Sequence, residues 1–292
     1  MPRDGGRYFD GTLGYGGHAR AILEASAPSG ELAGTDLDKN ALSRLNTELA
    51  GFAGRAHLFP GNFTEIDRIC STLGWEKLDG ILLDLGMSSM ALDDPDRGFS
   101  FLREGLLDMR FSSDNELSAE MVVNTYEESR LASIIKEYGE ERFARRIASF
   151  IVKARPIKKT TALADVVSSA IPRKCWPKKI HPATRTFQAL RMEVNQELES
   201  LNSFLPKASS LLAPGGIMAI ISFHSLEDRA VKKFFTGPEN SFIYPRGLPA
   251  PASTTGHPFE RVTRKSITAT EEEIENNPRS RSARLRAVRR LP

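Results

Sequence analysis

Phe9-Asp10-Gly11-Thr12-Leu13-Gly14-Tyr15-Gly16-Gly17-His18 runs directly into Ala19-Arg20-Ala21-Ile22-Leu23-Glu24, and the two together read as strand, glycine loop and helix. Glycine has no Cβ, so Gly14, Gly16 and Gly17 permit positive φ and let the backbone pass close to a ligand. The helix that follows offers N–H groups without intrahelical partners. About 20 residues further on, Leu32-Ala33-Gly34-Thr35-Asp36 ends an apolar run in a carboxylate, at the spacing where a dinucleotide-type fold places its ribose-binding acid. Asp36 is the candidate ribose ligand. Asp10, at the mouth of the loop, would repel a pyrophosphate. It suits S-adenosylmethionine, which carries a cationic sulfonium and an ammonium and has no phosphate. No Gly-Lys-Ser/Thr follows the glycines, which argues against a P-loop.

The 292 residues suffice for one large domain, or for a core carrying an insertion. Cys70 and Cys175 are too few and too far apart for a disulfide framework or a zinc site, so no metal is expected and a reducing cytoplasm fits. No long apolar run or leader pattern predicts a membrane span or secretion. The first strand starts so close to Met1 that an N-terminal segment is expected to be missing. The net charge is +3 but unevenly spread. Residues 136–192 hold 14 Lys or Arg against 4 Asp or Glu, and residues 261–292 hold 9 against 4, which leaves −12 for the remainder. That asymmetry points to a polyanion met by particular surfaces, the alternative being solvated helix faces.

Lys39 to Leu49 reads as a helix, Ala56-His57-Leu58-Phe59 as a strand closed by Pro60-Gly61-Asn62-Phe63, and Ile66 to Leu73 as another helix. Phe63 could cover an adenine or simply pack in the core. Leu78 to Gly86 is a continuous apolar run, a buried parallel strand ending in Asp84. In this architecture Asp84 faces the reactive end of the cofactor, beside a tight Gly86-Met87-Ser88-Ser89 turn. From about Asp93 to Arg191 helical spacing takes over, in Leu131, Ile134 and Ile135, then Phe143, Ile147 and Ile151, then Leu163, Val166, Val167 and Ala170.

Glu140 and Glu141 precede Arg142, Arg145 and Arg146 by about one turn and would brace a helix. The Pro-broken loops at Arg155-Pro156-Ile157-Lys158-Lys159 and Arg173-Lys174-Cys175-Trp176-Pro177-Lys178-Lys179 have few acids nearby and are assigned to phosphate contact. Trp176 reads better as buried than as a base-stacking platform. His181 and Arg185 open an amphipathic helix with Phe187, Leu190, Val194, Leu198, Leu201 and Leu205 on one stripe. They would either meet substrate or pin a domain boundary. A turn at Leu212 to Gly216 leads into a strand ending at His224, whose pairing with Ser225 lacks the third partner of a nucleophilic triad and reads as substrate positioning or loop bracing. Pro238 to Pro258 reads as a loop, and the chain closes with an edge hairpin and an RNA-facing arginine run.

These stretches carry a resemblance. The glycine loop with Asp10 and His18, Asp84-Leu85-Gly86-Met87-Ser88-Ser89, Arg97-Gly98-Phe99-Ser100-Phe101, Leu107-Asp108-Met109-Arg110 and Tyr138-Gly139-Glu140-Glu141-Arg142-Phe143 resemble the RsmH (formerly MraW) family. So do His181 to Arg191, Ser222 to Arg229 and Asn277 to Ser282. The resemblance spans nearly the whole chain, in family order.

It implies a Rossmann-like class I S-adenosylmethionine-dependent methyltransferase, with a seven-stranded, mostly parallel α/β core over 1–92 and 192–292 and a helical substrate-recognition domain inserted at 93–191. It implies methylation of a cytidine N4 amine in the decoding region of 16S ribosomal RNA, within the assembled small subunit. Gly16, Gly17, His18, Asp36, Phe63 and Asp84 would hold the cofactor, Asp84 also serving the chemistry. Lys158, Lys159, Lys178, Lys179, His181 and Arg185 are the candidate substrate contacts. Ala91 stands where the family carries glutamine, and Ala19 where it carries serine. Two other functions fit parts of the pattern: a noncatalytic RNA-binding or assembly factor, and an NAD-dependent oxidoreductase, which the position of Asp10 disfavours.

Overall fold

The computed structural model describes residues 1–87, 89–237 and 257–292. The expected loop at 238–258 therefore lies outside the described residues except for its last two, as does residue 88 of the expected turn. The elements in chain order are β1 (Arg7–Asp10), α1 (Gly17–Ala25), β2 (Glu31–Asp36), α2 (Lys39–Glu48), β3 (Ala56–Pro60), α3 (Ile66–Leu73) and β4 (Leu78–Asp84). Six helices follow, α4 (Ser89–Asp93), α5 (Ala119–Thr125), α6 (Glu128–Glu137), α7 (Ala144–Ala154), α8 (Thr160–Ala170) and α9 (Thr184–Asn195). The chain ends with α10 (Glu197–Leu211), β5 (Leu212–Ser222), α11 (Ser225–Thr236), β6 (Phe259–Arg261), β7 (Ile267–Thr268), α12 (Glu271–Asn276) and β8 (Arg284–Arg290).

The chain divides into two compact units, residues 1–86 with 198–292, and residues 87–197. In the first, the strand order is β3-β2-β1-β4-β5-β8-β6, with β7 also on β8, so the described sheet has eight strands rather than seven. The first five are mutually parallel and β8 runs antiparallel to β5. Alternation along the strands sends Tyr8 and Leu32 to one face, against α1 and α2, and Phe9 and Ala33 to the other, against Ile66, Phe204 and Val231. Each fully buried Leu, Ile or Phe there contributes roughly 1.5–3 kcal/mol.

Two expectations change. Leu212 to Gly216 is a bulge within β5, because Leu78 pairs with Leu212 while Gly80 pairs with Ile217. The long amphipathic helix is two helices, α9 and α10, broken at Gln196 with φ 49°. Arg191 spans the break with two hydrogen bonds to Glu197, at 2.7 and 2.8 Å, and both residues are half-buried. The expected C-terminal edge hairpin is present, β8 pairing antiparallel with β6 at the end of the strand order.

In the helical unit the residues spaced at three and four pack a single core that includes Leu131, Ile135, Ile147, Ile151, Leu163 and Val167. Arg97 and Arg110 lace the connection before α5. Arg97 donates to the carbonyls of Arg110 and Phe111, and Arg110 forms a forked pair with Asp108. No helix among the described residues is long and apolar enough to cross a membrane.

Candidate functional site

The strand order reverses at β1: β2 and β3 extend one way and β4 and β5 the other. Open parallel sheets bind ligands at the carboxyl ends of the strands flanking such a point. Asp10 ends β1, Asp84 ends β4 and Asp36 ends β2, so the topology gathers three acids at one rim.

Thr12, which the sequence did not single out, ties two of them together. Its amide donates to Asp10 Oδ1 at 3.0 Å, and its Oγ1 accepts the Asp84 amide at 2.6 Å. The only signal for it was its place two residues after an aspartate, where Asx turns form. Asp36 is turned into the loop, accepting from Gly14 N and Asp38 N, both at 2.8 Å. Asp10 Oδ2 and Asp84 Oδ1 are buried with no hydrogen-bond partner among the described residues.

Gly16 has φ 73°, in the left-handed region, and a Cβ there would run into the side chain of Leu45. It caps α1 without a side-chain hydrogen bond, and the first turn of α1 carries no acid, so the amides of that turn point out uncompensated. A Cβ on Gly17 would meet nothing within 4 Å, which leaves an open face at the start of the helix. His18 extends from that turn and places Nε2 3.6 Å from Asp84 Oδ2.

Burial pushes the Asp10 carboxyl up to about 6, against the hydrogen bond from Thr12 and the nearby His18. Burial likewise raises Asp36, against its backbone hydrogen bonds. His18 is raised, chiefly by its contact with Asp84. The rim therefore carries more negative charge than its one histidine offsets, and it concentrates cations rather than phosphates. Phe63 follows β3 and sets its ring edge-on to Phe204, centroids 5.2 Å apart, half-buried against the core.

The candidate substrate residues lie in the helical unit. Lys158, Lys178 and Lys179 are exposed, and Lys159 stands 3.7 Å from Glu104. His181 is exposed, its ring centroid 4.7 Å from that of Phe101, and its Nδ1 accepts the Ala183 amide at the start of α9. Arg185 Nη1 reaches the Glu140 carbonyl at 3.5 Å and Glu141 Oε2 at 3.7 Å.

Other basic residues are structural. Arg155, read as a phosphate contact, turns inward and donates to the carbonyls of Val123 and Tyr126. Glu140 and Glu141 precede α7 rather than bracing its face, and Glu141 is a buried turn residue that accepts the Phe143 amide. Trp176 is half-buried, donating to the Ile171 carbonyl, with Arg173 over its ring. The arginines of β8 are engaged: Arg286 forks onto Asp228, Arg290 reaches Ser209, and Arg289 lies 3.3 Å from Glu260. His224 closes a capping box with Glu227 at the start of α11, so it braces the loop.

A family model described as the MraW methylase family matches residues 1–291. The chain is 51% identical over 294 residues to a protein of Geobacter sulfurreducens named ribosomal RNA small subunit methyltransferase H, covering 99% of this chain and 94% of that one. A protein of the same name from Geobacter sp. (strain M21) is 50% identical over 293 residues with the same coverage. One from Heliobacterium mobile is 45% identical, covering 100% of this chain and 95% of its own. Similarity of this extent, end to end, over an acid-rimmed glycine loop at the sheet's switch point, means that the chain belongs to the MraW methylase family.

Proposed function

We propose that this chain transfers the methyl group of S-adenosylmethionine to the N4 amine of a cytidine in the decoding region of 16S ribosomal RNA, in the cytoplasm and on the assembled small subunit. The observation that carries the reading is the rim itself: two buried carboxylate oxygens, Asp10 Oδ2 and Asp84 Oδ1, have no partner among the described residues at a site otherwise built for a ligand. A phosphate-bearing dinucleotide would meet three acids there, whereas a phosphate-free ligand with a sulfonium and an ammonium group helps to offset them. S-adenosylmethionine fits these residues.

Gly16, Gly17 and the uncapped start of α1 would take its carboxylate end, Asp36 its ribose hydroxyls and Phe63 its adenine, with His18 and Asp84 nearest the reacting groups. When bound, it supplies a methyl group made electrophilic by the sulfonium. Asp36 can accept from hydroxyls because each carboxylate oxygen keeps a lone pair beyond its backbone hydrogen bond. Asp84 is fixed at its amide by Thr12 and faces His18 through Oδ2, which leaves Oδ1 to accept an amine hydrogen. That matters because the lone pair of a cytosine amine is delocalised into the ring, and an acceptor on its N–H returns electron density to nitrogen. Positioning and fixed charge supply the rate, with no covalent enzyme intermediate. Ala91, where the resemblance implies a glutamine, is buried in the core of the helical unit, and its side chain is a bare methyl group.

The base must be single-stranded or flipped to be reached. The exposed lysines at 158, 159, 178 and 179 would hold the RNA backbone, joined by His181 and Arg185. The test is transfer of labelled methyl to small subunits lacking base methylation, followed by digestion to nucleosides. Labelled N4-methylcytidine from particles, and not from naked RNA, is expected. No label despite measured cofactor binding would overturn the reading in favour of a noncatalytic RNA-binding factor.

A further inference from the structure

The Tyr138 to Phe143 stretch is not used by the chemistry above, yet it builds a defined feature. Gly139 sits where a Cβ would lie 2.6 Å from the carbonyls of both Arg185 and Ile135, so the turn presses α9 against the end of α6. Glu140 follows with φ 50°. Glu141 is then buried, one oxygen accepting the Phe143 amide and the other facing Arg185 at 3.7 Å. Arg142 remains exposed, its guanidinium over the Phe143 ring at 4.7 Å.

Beside this turn is a cleft of about 260 Å³ lined by Glu141, Arg142, Ile171, Cys175, Pro177 and Arg185. All six belong to the helical unit, and none of them is one of the acids or glycines of the sheet's carboxyl rim.

We propose that this cleft is a second RNA-binding site that takes one unstacked nucleotide of the substrate RNA. Its apolar lining residues, Ile171, Cys175 and Pro177, give a phosphate nothing to bind but suit the flat face of a base. Its volume is close to the lower end for small-molecule sites, roughly 300 Å³, which favours one base over two. Two guanidiniums stand at its rim, each already held, Arg185 by Glu141 and Arg142 by Phe143. Little side-chain freedom is lost when they stack on a base or hydrogen-bond its edge. One wall is the loop carrying Lys174, Lys178 and Lys179, exposed and without an acid in its sequence, which would hold the flanking phosphates.

The site deepens the RNA-methylation reading and rests on it for the identity of the RNA. Cys175 gives a direct probe. The other cysteine, Cys70, is buried, and burial pushes its thiol up to about 11, so N-ethylmaleimide should alkylate Cys175 selectively. Alkylation of the full chain, read at Cys175 by mass spectrometry, should slow about tenfold when small subunits lacking base methylation are bound, and not with S-adenosylmethionine alone. Arg142→Ala, at an exposed position, should raise KM for subunits about tenfold without changing the dissociation constant for S-adenosylmethionine, and Arg142→Lys should restore only part of it. Unchanged alkylation of Cys175 while subunits cosediment with the protein would overturn the site. Protection of Cys175 without formation of N4-methylcytidine would instead defeat the assigned reaction and leave the cleft standing as an RNA site.

Discussion

Asp228 and Asp84 are carboxylates in the same sheet unit with opposite surroundings. Asp228, in the first turn of α11, takes a forked pair from Arg286 at 2.7 and 3.0 Å, with Arg284 3.8 Å away. Asp84, at the tip of β4, faces a histidine at 3.6 Å and, like Asp10 beside it, keeps one buried oxygen with no partner among the described residues. A saturated carboxylate joins a helix to a strand and has nothing left to offer a ligand. An unsaturated one costs the fold stability and retains affinity for what arrives. The basic residues divide likewise: Arg155 and Arg286 are engaged by the protein, while Lys158, Lys178 and Lys179 stand in solvent. Residue type and charge count do not separate the two groups; partners do.

The contrast breaks first at Asp84. Asp84→Asn keeps the shape but exchanges an acceptor for a weaker, uncharged one. Turnover with methylation-deficient subunits should fall about 10²–10³-fold while the melting temperature moves little. Wild-type turnover with both substrates bound normally would remove Asp84 from the chemistry. At Asp228 the expected readout is reversed. Asp228→Ala leaves the half-sheltered Arg286 without its carboxylate and should cost about 3 kcal/mol in denaturant titration, with affinity for S-adenosylmethionine unchanged.

Sequence reading reached the acid rim because its signals are local: glycines, an apolar run, a carboxylate at the end of a strand. Asp10, Asp36 and Asp84 each close a strand that could be read from its own residues. Asp228 and Arg286 are 58 positions apart, and no local pattern announces that pair. Hence the β8 arginines looked like an RNA-facing run. The break at Gln196 was invisible for a different reason, since glutamine carries no marker for a left-handed backbone and the apolar stripe continues through it. Thr12 was missed because its partner Asp84 is 72 residues away.

Asp10 sharpens the contrast through pH. Its folded-state value of about 6 lies above the ordinary 3.8, so the folded protein holds this proton more tightly than the unfolded chain does. For this group stability is highest below about pH 4, falls as pH rises to about 6, and stays lower beyond that. Asp10→Asn should therefore stabilise the ligand-free protein at pH 7.5 by about 3 kcal/mol, have little effect near pH 4, and weaken binding of S-adenosylmethionine. Thermal melts at the two pH values check the first part and calorimetry the second. An equal effect at both pH values would mean that the buried charge is not the cause.

The exposed lysines should give the smallest effect per residue, and salt is the way to see it. Replacing any one of Lys158, Lys159, Lys178 or Lys179 by glutamine should change affinity for small subunits by under about 1 kcal/mol, as expected for a solvated charge. Each lysine that neutralises a phosphate also releases a counterion, so replacing all four should flatten the slope of log K against log salt by about 3 for single-stranded contacts. Lys159, with Glu104 3.7 Å away, should contribute least of the four. Neutralising Arg286 and Arg290, already engaged by Asp228 and Ser209, should leave the salt slope unchanged. If the slope followed the β8 arginines and not the lysines, the protein's own ion pairs would not be what separates the two basic regions.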